Sequence, residues 1–136
     1  MRLVLDTNVF LSALMSSDSP SAQVLNLWLT RNFELLTTGE QFEEIARVTR
    51  YPRIHDRLPL AFAGRLINRL RKAAIVLEEL PRVTVSADPD DNYLLALAEA
   101  GQAQFLVTGD KLLLALQRHK STRIITPAAL LSLLKD

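Results

Sequence analysis

The 136-residue chain has no cysteine. That excludes a disulfide framework, thiolate zinc or iron-sulfur ligation, and a thiol nucleophile. Glycine is scarce as well. The only four, Gly39, Gly64, Gly101 and Gly109, stand far apart, so no phosphate-binding glycine loop, dinucleotide fingerprint or Gly-x-Ser-x-Gly elbow can be built from them. Two histidines, His55 and His119, match no zinc spacing and read as surface residues. No apolar run approaches the roughly 18 to 20 residues of a membrane span. The start, Met1-Arg2-Leu3-Val4-Leu5-Asp6, puts a carboxylate where a signal peptide would stay apolar. The expectation is a cytoplasmic protein without membrane attachment. Excess charge is missing too: 16 basic residues face 15 acidic ones, so any contact with nucleic acid must come from local placement of charge.

What is present reads as one domain over residues 1–136, long enough to bury roughly two-thirds of its unfolded surface. Short runs rich in branched residues predict strands at Leu3 to Leu5, Phe33 to Leu36, Phe105 to Val107 and Arg123 to Ile125, with Val83 to Val85 as a weaker one. Helical periods lie between them. Ser19-Pro20 opens a helix through Arg31, with Ala22, Leu25, Trp28 and Leu29 on one stripe. Thr38 caps a second helix carrying Phe42, Ile45, Ala46 and Thr49. Leu58-Pro59 opens a third, with Arg65, Arg69, Arg71 and Lys72 on a solvated face. A fourth covers Asp91 to Ala100 and stops at Gly101, and Thr126-Pro127 opens the last, which runs to the end of the chain. This alternation predicts a three-layer α/β/α domain around a mainly parallel sheet. Such sheets bind ligands beyond the carboxyl ends of their strands.

Those positions are acidic. Asp6 follows the first strand, Asp110 follows Phe105 to Val107, and Asp88, Asp90 and Asp91 precede the fourth helix. In the helix begun near Thr38, Glu44 adjoins Ile45 and lies one i,i+4 step from Glu40 and Val48, so Glu44 rather than Glu43 is expected to face inward. Taken singly, each aspartate has an ordinary alternative as a helix N-cap. Together, Asp6, Glu44, Asp91 and Asp110 would converge on one sheet end. Two carboxylates 4 Å apart repel by roughly 4 kcal/mol at an effective dielectric near 20, so such a cluster must take up protons or a cation. Oxygen-only ligation selects Mg2+ or Mn2+, one ion or two, over zinc. The chemistry this supports is phosphodiester transfer.

The segments Leu3-Val4-Leu5-Asp6-Thr7-Asn8-Val9, Glu44-Ile45-Ala46-Arg47-Val48, Asp88-Pro89-Asp90-Asp91-Asn92 and Leu106-Val107-Thr108-Gly109-Asp110-Lys111, closed by Ile125-Thr126-Pro127, resemble PIN-domain proteins in order and over nearly the whole chain. The branch they look like is that of VapC-related toxins of prokaryotic toxin-antitoxin pairs. The resemblance implies a metal-dependent ribonuclease acting on single-stranded or loop RNA. Its acidic quartet falls on Asp6, Glu44, Asp91 and Asp110. Asn8 and Thr108 would orient a ligand carboxylate or a water, and Asp88 would serve as an extra acid or a helix cap. Thr38, where serine is more usual, and Thr49, where an apolar residue is expected, depart from the pattern outside the quartet.

Lys111, Arg47, Arg50 and Arg53 are the expected phosphate contacts. Tyr51 and Trp28 are large enough to stack on a base, but Trp28 is expected in the core. A toxin of this kind implies a cognate antitoxin covering the acidic pocket and a homodimer; Leu14, Met15 and Leu27 are apolar positions on the early helices. Two other readings fit parts of the sequence. A haloacid-dehalogenase-type phosphatase needs a second acid two positions after its nucleophile, where this chain has Asn8. A non-catalytic PIN-like binding module would be marked by loss of quartet members, and all four are present.

Overall fold

The structure, a computed structural model, describes residues 1–135. The chain runs β1 (Arg2–Leu5), α1 (Thr7–Met15), α2 (Pro20–Leu29), β2 (Glu34–Thr38), α3 (Gly39–Val48), α4 (Pro52–His55), α5 (Leu60–Ala73) and β3 (Ile75–Leu77). A 3-10 turn at Pro89–Asp91 then leads into α6 (Asn92–Gly101), β4 (Phe105–Val107), α7 (Lys111–Leu116), β5 (Arg118–His119), β6 (Thr122–Ile125) and α8 (Pro127–Leu133). The sheet order is β3-β2-β1-β4-β6-β5. Every pairing is parallel except β5 with β6. The three-layer α/β architecture with a mainly parallel sheet is therefore as the sequence predicts.

Alternation along the strands builds both outer layers. Leu3, Leu5, Leu35, Val107 and Ile125 face α1, α2, α3, α5 and α8. Val4, Leu36, Leu106 and Ile124 face α6 and α7. Central strands covered on both sides must be apolar throughout, which is why they read as unbroken hydrophobic runs.

Several features differ from expectation. Val83 to Val85 pairs with no strand, and Val85 is half exposed. Its place at the sheet edge is taken by Ile75–Leu77, which follows α5 after a single residue and shows no turn signal. Gly101 does not stop α6 by adopting a left-handed backbone; Gln102 takes that role at φ 54°. Gly101 instead lets α6 approach β2, since a Cβ there would meet Leu36 Cδ1 at 2.4 Å. His119 is buried rather than at the surface, because β5 folds back on β6 and brings Nε2 within 3.0 Å of Glu99 Oε1. The helix opened by Pro127 ends at Leu133, and the predicted final residue of that helix, Asp136, lies outside the described residues. On α5, Arg71 and Arg65 are not merely solvated: their guanidinium groups lie 5.0 and 5.6 Å from the rings of Phe42 and Phe62.

Candidate active site

Strand order reverses at β1, which pairs with β2 on one side and β4 on the other. The carboxyl edge at this switch point is the ligand crevice of an open parallel sheet. Asp6 stands directly on it. Its backbone N–H donates to Val107 O at 2.9 Å, tying it to β4, and its side chain is buried. Thr108 Oγ1 donates to Asp6 Oδ2 at 2.7 Å. The Asn8 N–H reaches Oδ1 at only 3.5 Å, while the Asn8 side chain is exposed and makes no hydrogen bond to a carboxylate among the described residues. Burial raises the Asp6 pKa; the Thr108 hydrogen bond opposes this, and the charges of Glu44 and Asp110 reinforce it.

Asp110 is drawn into the same corner through Thr108. Its N–H donates to Thr108 Oγ1 at 3.0 Å, and its own Oδ1 caps α7 by accepting from Leu112 N at 2.8 Å. Asp88 is likewise a cap, accepting from Asp90 N at 3.0 Å, and is exposed. Asp91 differs from both. Although it stands at the head of α6, its side chain makes no capping bond. Its Oδ2 is buried and accepts a hydrogen bond from no donor among the described residues. Burial, a hydrogen bond shared with Asp110, and the charges of Asp6, Asp110 and Asp88 push its pKa up to about 7. The capping alternative thus describes Asp88, one oxygen of Asp110 and, through the long 3.5 Å contact from Asn8 N, Asp6 at the head of α1, but not Asp91.

Glu44 faces inward from α3 while Glu43 is exposed. Two hydroxyls, Thr7 Oγ1 and Tyr93 Oη, each donate to its Oε1 at 2.5 Å. Oε2 lies 4.0 Å from Arg47 Nη2. Behind Thr7, the buried Gln41 amide donates to Leu5 O at 2.7 Å and approaches Thr7 Oγ1 at 3.4 Å, and Thr37 Oγ1 donates to Gln41 Oε1 at 2.7 Å. Tyr93, in the first turn of α6, is buried, and burial first, then the Glu44 charge, raise its phenol pKa well above the usual value. A proton-bearing Tyr93 hydroxyl therefore serves as a fixed donor to Glu44.

Thr7, Tyr93, Gln41 and Thr37 were not singled out from sequence. Thr7 and Gln41 left a faint signal, as polar residues at positions where the neighbouring pattern turns inward. Tyr93 left none, since it counts as apolar in the α6 stripe. Among the expected phosphate contacts, Lys111, Arg47, Arg50 and Arg53 are all exposed. Lys111 opens α7 beside Asp110, Arg47 stands over Glu44, and Arg53 lies with Asn8 in a cleft on the α1 side. Tyr51 is exposed and Trp28 is in the core.

The donors gathered here are hard oxygens, with neither histidine among them, and Asp91 Oδ2 is an acceptor left open. That chemistry fits Mg2+ or Mn2+ held by Asp6, Asp91, Asp110 and Glu44. Among the described residues no three acidic or histidine side chains are placed, as they stand, to hold a cation together. A cation would have to gather these oxygens by side-chain rotation.

A parallel α/β sheet with aspartates at its switch point and a hydroxyl-held glutamate beside them defines an acidic α/β domain suited to hydrolytic chemistry on phosphodiesters. The family model for the PIN domain matches residues 2–112. The chain belongs to the PIN-domain family, a family of nucleases that generally use divalent metals. An uncharacterised protein of Methanocaldococcus jannaschii is 27% identical over 120 residues, spanning 86% of this chain and 76% of that relative. The fold is similar to that of a chain in the crystal structure of VapBC2 from Rickettsia felis bound to a DNA fragment from its promoter. The TM-score is 0.57 at 15% identity, covering 91% of this chain and 97% of that one.

Proposed function

We propose that the chain is a Mg2+- or Mn2+-dependent endoribonuclease that cuts single-stranded or loop RNA and acts as the toxin of a toxin-antitoxin pair. The observation that carries this reading is the buried Asp91 oxygen that accepts from no donor, on a carboxyl that feels the charges of Asp6 and Asp110 at the strand switch point. When bound, a hard divalent cation supplies Lewis acidity and offsets charge developing at the scissile phosphate. The protein's own part is to hold that site. Thr108 fixes one oxygen of Asp6, and the Thr7 and Tyr93 hydroxyls fix Oε1 of Glu44, which leaves Oε2 without a hydroxyl donor and 4.0 Å from Arg47 Nη2. Lys111, Arg47, Arg50 and Arg53 receive the RNA backbone. Hydrolysis by water in line with the 3′ oxygen leaves a 5′ phosphate and a 3′ hydroxyl. The likeness to a chain of the VapBC2 structure supports an antitoxin partner; in this proposal that antitoxin covers the acidic pocket with a basic side chain. A homodimer, a cytoplasmic location and one catalytic domain over the whole chain complete the proposal.

The test is RNA cleavage with manganese, with chelator, and by Asp6→Asn. Cleavage confined to the first sample supports the reading; equal background in all three refutes it. Products ending in a 2′,3′-cyclic phosphate would refute the hydrolytic course.

A further inference from the structure

A small cleft of about 230 Å3 opens between α1 and α4, with Asn8 in its wall. We propose that it is a nucleotide subsite, taking the phosphate and base next to the scissile bond: Arg53 and Arg57 hold the phosphate, and Met15 lies against the base. This rests on the ribonuclease reading and extends it to a binding site that the acidic cluster does not include.

Four observations carry it. Asn8, two residues beyond Asp6 and with its backbone N–H 3.5 Å from Asp6 Oδ1, lines the cleft, so one end of the cleft lies next in sequence to the switch-point site. Arg53 and Arg57, one i,i+4 step apart on its rim, are exposed, and neither forms an ion pair among the described residues. The floor is fixed and apolar: Leu11 and Ile54 are buried in a small cluster that also packs Met15. Asn8 and Ser12, again i,i+4 and both exposed, supply hydrogen-bonding groups on the opposite wall. Paired cations, an apolar floor and amide and hydroxyl groups match a phosphate joined to a planar heterocycle with polar edges. The volume lies below the roughly 300 to 1,000 Å3 of pockets for drug-sized ligands, which suits one base rather than a stack.

The test uses fluorescein-labelled single-stranded RNAs of systematically varied sequence. Binding is followed by fluorescence anisotropy with manganese present, and cleavage is measured on the same RNAs. Arg57→Ala should weaken binding about 10-fold, alike for every sequence, and lower the slope of log affinity against log salt by about 0.7. Arg57→Lys should keep most of the salt slope. Met15→Ala should narrow the spread between the best and worst base at one position while leaving that slope intact. Both side chains lie at the surface or its edge, and a thermal melt verifies that each variant is folded. RNA bound equally by Arg57→Ala and the parent, or a base ranking untouched by Met15→Ala, overturns the subsite. Cleavage that ignores Arg57 sinks the subsite and spares the ribonuclease reading, whereas Arg57-dependent binding without cleavage does the reverse. Unchanged RNA binding with loss of a copurifying protein would overturn the proposal and assign the cleft to that protein.

Discussion

Stability of the cation-free protein should fall as pH rises through neutrality, with Asp91 as the main cause. In the unfolded chain an aspartate has a pKa of about 3.9. In the folded chain Asp91 is pushed up to about 7, by burial before all else, then by its hydrogen bond with Asp110 and the surrounding acids. The native state therefore holds a proton that the unfolded chain has already released. Its stabilising contribution is complete below the unfolded pKa and is lost as pH rises through about 7. At face value the difference is worth about 4 kcal/mol. Because the Asp91 side chain is only half-buried, solvent screening brings this to the order of 1 to 2 kcal/mol. For a domain of this size that is a fall in Tm of about 3 to 10 °C.

The assay is a series of thermal melts by circular dichroism from pH 5 to pH 8.5 in chelator, for the parent and Asp91→Asn. The parent should lose stability across that range, and Asp91→Asn should be nearly level and the more stable of the two at pH 8. Manganese at 100 times its Kd should add about 2.7 kcal/mol at pH 8. It should add less at pH 5, where it must displace protons. A parent melting curve that stays level with pH, a decline shared by Asp91→Asn, or stronger stabilisation by manganese at pH 5 would refute the reasoning.

Three further substitutions test other links. Tyr93→Phe removes one of two hydroxyls on Glu44 Oε1 and should cost about 1 to 2 kcal/mol in a denaturant melt. It should also lower kcat/KM about 10-fold or more, as loss of a ligand-orienting group does; full activity would show that Thr7 alone suffices. Thr108→Val removes the 2.7 Å donor to Asp6, so the Asp6 pKa should rise further and apparent manganese affinity should drop about 10-fold by titration. Gly101→Ala forces a methyl against the buried Leu36 side chain and should destabilise by about 1 to 3 kcal/mol, with activity retained in the folded fraction.

The central strands were legible because a parallel strand buried on both faces must be apolar along its whole length, and β1, β2, β4 and β6 are. Length defeated the same reading at the edge. Ile75–Leu77 is three residues long and only partly covered, so it merges with the end of α5, while Val83 to Val85 has the branched composition of a strand but no neighbour to pair with. The acids were legible because topology places strand ends at the crevice. Which acid would be free was not. Asp88, Asp91 and Asp110 offer the same side chain near helix starts, and only three-dimensional placement makes two of them caps and leaves the third without a donor. Tyr93 and Thr7 meet Glu44 because α6 and α3, from opposite faces of the sheet, both reach the carboxyl end of β1, a contact that sequence spacing cannot express.

The four acids are thus stabilised unequally, and the inequality has a consequence. Glu44 has two hydroxyl donors, Asp6 one, and Asp110 a backbone donor through its capping role, whereas Asp91 Oδ2 has none. Hydrogen bonds to a carboxylate favour its charged form, and neighbouring charges oppose it. Burial first, then the Asp110 hydrogen bond and the charges of Asp6, Asp110 and Asp88, therefore act on a member whose Oδ2 has no donor to offset them, and Asp91 answers by holding a proton near neutrality. A proton and a divalent cation are competing solutions to the repulsion among the four. Without either, the crevice presents negative charge to a phosphate that is itself negative, and the rim cations Lys111, Arg47 and Arg53 must work against it. RNA affinity at the crevice should depend on cation, while any contact through Arg57, farther along the α1 side, should depend on it less. Comparing the salt slopes of RNA binding with manganese and with chelator, in the parent and in Arg57→Ala, separates those two contributions in one set of titrations.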